Sequence, residues 1–97
     1  MEYFLIEGLV TNPEKMSDDL MSEHQAYTGQ LMARGNVLFS SLKSDMSASI
    51  TVVKAESETA IRHFYDQEPF FVHGVITYTI SKLDIHYHTK SEDWFKN

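Results

Sequence analysis

His24 and Glu68 are the residues of this chain best suited to move a proton. An imidazole changes charge near neutrality, so it serves as a general acid or base at working pH. His24 falls in the apolar stripe of an expected helix, where an ionisable ring costs desolvation energy unless it is paired. Glu68 opens an acidic-Pro-aromatic turn, Glu68-Pro69-Phe70. If the two halves of the chain fold over one another, this carboxylate could fix the tautomer of the ring and stabilise imidazolium. The plainer alternatives stay open. His24 could be a core histidine bonded to a carbonyl or a tyrosine, and Glu68 a solvated turn carboxylate. Tyr27 lies three residues beyond His24 on the same helical face, where it could position a ligand or simply pack.

Other chemistries find less support. The chain has no cysteine, which removes disulfides, thiolate metal sites and Cys nucleophiles together. No serine stands in a recognisable nucleophile motif, so proton transfer fits better than acyl transfer. His86 and His88 share one side of an extended segment and could bind zinc or copper only with a third ligand. A tail is a poor metal cage, and neither a metal nor a cofactor is expected. His63 and His73 read as helix-surface and turn residues. The four glycines form no phosphate-binding motif.

The elements that must position these residues are legible in order. Residues 3–7 are aromatic and β-branched and read as a strand that closes at Gly8, apolar on both faces and therefore central. Ser17 is a good N-cap, and Asp18 and Asp19 suit the positive end of a helix dipole. Met16, Leu20, His24, Tyr27 and Leu31 form one stripe of a 3.6-residue helix. Arg34 and Gly35 supply its stop signal, so the first helix spans about 17–34. Residues 37–42 and 49–54 read as a strand hairpin joined by a polar connection. Ser57 caps a second helix with Ala60, Ile61, Phe64 and Tyr65 on its apolar face, ended by Pro69. Residues 75–83 alternate as a last strand, with Ile76, Tyr78 and Ile80 on one face.

The order is β-α-β-β-α-β, the α+β, ferredoxin-like arrangement of a four-stranded antiparallel sheet with two helices on one face. Two helices cover only one face of such a sheet. Exposing a few hundred Å² of the other forfeits several kcal/mol at about 25 cal/mol per Å². A homodimer that closes a dimeric α+β barrel is therefore expected, with Trp94 and Phe95 of the tail as candidates to latch onto a neighbouring subunit.

Composition sets the outer limits. Ninety-seven residues, 42% hydrophobic and 23% charged, fit a single domain covering 1–97. Fourteen acidic residues against eight basic ones leave a net charge of −6. Nucleic acid and anionic membranes call for clustered Lys and Arg, so neither is an expected partner. Residues 3–6 form an apolar run too short to span a bilayer, and no basic segment precedes it. The expected location is cytoplasmic.

Taken together, the opening strand, the helix with His24 and Tyr27 before Gly35, the strand hairpin and the acidic-Pro-aromatic turn resemble the YCII-related family of small dimeric α+β barrel proteins. The resemblance covers roughly residues 2–84. It implies a ferredoxin-like fold, a homodimer, and a pocket between sheet and helix that holds a His–acid pair, carried here by His24 and Glu68. Members of that family include a dehalogenase acting on a chlorinated muconolactone, and muconolactone isomerases share the wider architecture. The implied activity is cofactor-free lyase or isomerase chemistry on a small carboxylic acid or lactone, with Tyr27, Phe39 and Phe70 as an apolar wall. The alternative is a non-catalytic small-molecule-binding or structural module. Two features depart from the family. Its turn usually carries Asp where Glu68 is one methylene longer, and it favours glycine where this chain has Ser41 and Ala48. Ser41 and Ala48 could then narrow the pocket or remove a close backbone approach to a ligand, and Asp45 on the hairpin is a second carboxylate candidate.

Overall fold

Ser17 begins the first helix as its type implies: its hydroxyl accepts the Leu20 N–H at 3.1 Å. The helix, α1 (Asp18–Ala33), stops where Gly35 adopts φ +74° and its N–H bonds the Met32 carbonyl. That left-handed turn suits a residue without Cβ. The computed structural model describes residues 1–89. Around α1 it arranges β1 (Glu2–Val10), β2 (Val37–Leu42), β3 (Ala48–Ala55), α2 (Glu58–Tyr65), α3 (Pro69–Val72) and β4 (Ile76–Leu83). A 3-10 turn at Pro13–Lys15 precedes α1.

The four strands form one sheet in the order β2-β3-β1-β4, every pair antiparallel. This is the ferredoxin-like topology, with β1 central as its two apolar faces require. The first strand does not close at Gly8 but continues to Val10. A Cβ at Gly8 would stand 2.7 Å from Ser49 Oγ on the neighbouring strand. Glycine there marks a close cross-strand approach rather than a turn.

Helices cover one face of the sheet. Phe4, Ile6 and Val53 meet Leu31 and Ile61 in the main core cluster. A second cluster joins Leu20 of α1 to Phe70 and Val75. The stripe on α1 therefore has its two ends, Leu20 and Leu31, in different clusters, with His24 and Tyr27 between them. The opposite face carries Tyr3, Leu5 and Leu9 of β1, Ile50 and Val52 of β3, and Thr77, Thr79 and Ser81 of β4. None of these large apolar side chains is fully buried, and Leu9 is 53% exposed.

Two further local features differ from the sequence reading. The second helix is not ended by Pro69. It stops at Tyr65 with Asp66 as C-cap, and Pro69 begins a separate one-turn helix, α3, at the first helical position where its missing N–H has no cost. In β2 a bulge between Val37 and Phe39 shifts the register. Val37 pairs with Val53 on the helix-covered face, whereas Phe39 pairs with Val52 and Ser41 with Ile50 on the open face. Ser40 takes the inward place. Trp94 and Phe95 lie outside the described residues.

Candidate active site

Glu68 is where the local sequence does the most. The residue before a proline is held in extended backbone, and Glu68 adopts φ −66°, ψ 130° as the N-cap of α3. Its Oε2 accepts the Phe71 N–H at 3.2 Å. Its Oε1 lies 2.5 Å from His24 Nδ1. The carboxylate side chain is only 4% exposed, the imidazole 31%. Phe70, two residues after Glu68, stacks on the imidazole with centroids 3.9 Å apart and planes 3° from parallel. One turn thus fixes the ring both at its edge and across its face.

A donor on Nδ1 leaves the His24 Nε2 lone pair as the basic site, and that atom has no partner among the described residues. His24 and Glu68 line a cavity of about 90 Å³ between α1, α2 and the sheet. Ile6, Leu31, Val37, Phe64 and Ile76 supply its apolar walls, while Ser40, Ser49 and Thr51 supply hydroxyls from the sheet. Ser40 Oγ and Thr51 Oγ1 bond one another at 3.0 Å. Among the described residues, no Lys or Arg lines the cavity. Arg34 sits over the ring of Phe64, 5.7 Å from its centroid, and Arg62 pairs with Glu58 on the surface of α2.

Three tyrosines adjoin the cavity. The Tyr27 hydroxyl donates to the Phe64 carbonyl at 2.7 Å, and burial, followed by the Glu68 charge, raises its pKa. Tyr78 donates to Asp66. Burial pushes Tyr65 up to about 12, with Glu68 and then Tyr27 adding to it, and burial with the Asp66 bond does the same for Tyr78. Both phenols hold their protons more tightly folded than unfolded, where tyrosine ionises near 10. Their stabilisation is complete below about pH 10 and is lost as pH rises toward about 12. Urea melts at pH 8 and pH 11 should show the midpoint falling at the higher pH; an unchanged midpoint would contradict it.

The structure brings together His24, Glu68, Tyr27 and Phe70. It does not bring Phe39, Ser41 or Asp45 to them. The β2 bulge turns Phe39 and Ser41 to the opposite face of the sheet, so the cavity wall is Val37 and the polar group there is Ser40. Asp45 is exposed and closes its own hairpin, accepting the Ser47 N–H at 3.0 Å and the Ser47 hydroxyl at 2.6 Å, which holds its carboxyl below the usual range. His86 and His88 are exposed, and His88 Nδ1 bonds the Thr89 carbonyl. Among the described residues no group of three His, Cys, Asp or Glu could hold a metal ion, and no helix is long and apolar enough to cross a membrane. Tyr65, Ser40 and Thr51 were not singled out from the sequence. Tyr65 reads there as one more member of an apolar helix face.

A solved structure shares this fold. The chain is similar to 5-chloro-2-hydroxyhydroquinone dehydrochlorinase from Burkholderia phenoliruptrix AC1100, determined in complex with 2,5-dihydroxybenzoquinone. The TM-score is 0.71 at 20% identity, over 84% of this chain and 93% of that one. The likeness shows the fold. No protein-family model and no curated protein sequence matches the chain.

Proposed function

We propose that the protein is a cofactor-free enzyme that removes a proton from a small ring compound and so starts an elimination or an isomerisation. One observation carries this reading: His24 Nδ1 is tied to a buried carboxylate at 2.5 Å, and the other ring nitrogen, beside an open cavity, has no partner among the described residues. Nε2 accepts a proton from a carbon next to a carbonyl, and Glu68 stabilises the imidazolium that results. The electron pair of the broken C–H bond moves into the ring as an enolate. It then either expels a leaving group or takes the proton back at another carbon. The dehydrochlorinase of similar fold catalyses an elimination by its name, and the YCII-related resemblance points the same way.

The lining narrows the substrate from the range the sequence left open. With no Lys or Arg among the described residues that line the cavity, and Glu68 beneath them, a carboxylate ligand would be desolvated without a counter-charge. A neutral lactone or hydroxylated ring meets hydroxyls and apolar walls instead. In nitrogen-resolved imidazole spectra, neutral His24 is expected to carry its proton on Nδ1, and the Glu68→Gln variant to lose that preference. A wild-type ring protonated on Nε2 would end the proposal. Thermal-shift screening should show neutral lactones raising the melting point more than their ring-opened carboxylates.

The second reading is a binding module with no chemistry, favoured by the flat stack of His24 on Phe70, which any packed aromatic would make. Under it, His24→Phe would bind the same ligands as the wild type.

The homodimer belongs to the same proposal. Tyr3, Leu5, Leu9, Phe39, Ile50 and Val52 lie together on the open face of the sheet, and a second copy of that face would bury them. Sedimentation at micromolar concentration should give a dimer, and Leu9→Asp a monomer. A wild-type monomer would overturn it.

A further inference from the structure

Removing a proton with His24 places negative charge on a substrate oxygen, and the cavity needs a donor for it. Most polar groups around the cavity are already engaged. The Tyr27 hydroxyl is spent on the Phe64 carbonyl, Tyr78 on Asp66, one hydroxyl hydrogen of the Ser40–Thr51 pair on the other's oxygen, and Glu68 on His24 and Phe71. Tyr65 differs. It is half-buried, packed edge-on against Phe64 at 5.5 Å and beside Tyr78 at 5.7 Å, and it lines the cavity. Its hydroxyl has no hydrogen-bond partner among the described residues. Among the described residues no buried polar side-chain atom is left unpaired, so that oxygen keeps contact with solvent. The rigid ring is fixed, and the polar tip is unspent.

We propose that Tyr65 donates its phenolic hydrogen to the substrate oxygen on which charge collects when His24 takes the proton. This inference rests on the proton-transfer reading above. Ser49 and Thr28 also line the cavity with hydroxyls, but a phenol is far more acidic than an aliphatic alcohol and the stronger donor to an oxyanion. The phenol stays protonated across the working range, since burial and Glu68 hold it near 12. Glu68 opposes a second negative charge nearby, and its pairing with the newly formed His24 imidazolium offsets that. Proton and charge balance within the site: the C–H proton goes to Nε2, its electrons to the oxygen, and the phenol shares its hydrogen without giving it up.

The test uses 4-nitrophenol, whose phenolate mimics the enolate oxygen and absorbs visibly when ionised. At neutral pH the wild type should bind it and raise its ionised fraction. Tyr65→Phe should bind it at least tenfold more weakly with an unchanged melting point, because the lost oxygen has no partner among the described residues. Tyr65→Trp, which restores a donor but moves it, should not rescue binding. If Tyr65→Phe binds like the wild type while His24→Asn binds more weakly, the Tyr65 role is overturned and the base stands. If His24→Asn binds like the wild type while Tyr65→Phe fails, the donor stands and the base reading falls. A wild type that leaves the probe unbound overturns both.

Discussion

Replacing His24 by Asn should lower kcat/KM by about 10²–10⁴, the usual contribution of a positioned general base. The Asn amide can still donate to Glu68, so the buried carboxylate keeps a partner and the turn that presents it survives. What disappears is the lone pair on Nε2 and the stack on Phe70. Loss of the stack costs about 1 kcal/mol, a few degrees in melting temperature for a domain of this size. The measurement is turnover of neutral lactones and hydroxylated rings, the substrate class proposed above, beside a thermal melt of each protein. A variant with unaltered turnover would remove His24 from the chemistry. A variant that has simply unfolded would show itself in the melt.

Glu68→Ala should have the largest effect on stability. It deletes the N-cap acceptor of α3, worth about 1 kcal/mol, and a charge-assisted bond to His24. It also leaves a void under two packed helices. About 2–3 kcal/mol should be lost, lowering the melting temperature on the order of 10–20 °C. Glu68→Gln keeps one acceptor for the Phe71 N–H and should lose about 1 kcal/mol. The two variants therefore separate the structural role of the side chain from its charge. If Ala and Gln melt alike, the cap contributes nothing. If Gln retains full turnover, the charge is not needed for catalysis.

How far the sequence foretold this can be followed residue by residue. The α1 stripe was legible because its period is regular and its cap and stop residues are distinctive, and it placed His24 and Tyr27 on the inward side. The alternation of β4 was equally clear. Glu68 was half legible: its proximity to Pro69 marked a helix boundary, but whether that boundary faced water depends on Leu20 and Phe70 meeting across 50 residues of chain. The β2 bulge was invisible. Alternation alone puts Val37, Phe39 and Ser41 on one side, and only the pairing with β3 reveals that one extra residue turns the last two outward. Asp45 looked like a free carboxylate because a two-residue bond to Ser47 leaves no mark in composition. Tyr65 was hidden by its own dual nature, since a ring that packs in the core and a phenol that faces a cavity look the same in a pattern of apolar residues.

The Phe71 amide offers a built-in gauge of this arrangement. Its hydrogen points at the same carboxylate that holds the imidazole, and Phe71 lies in a helix too short to protect itself. In deuterium, that single hydrogen should therefore swap with solvent only as often as the acid lets go. Its slowing would report, without any substrate or activity assay, how firmly the imidazole's partner is held.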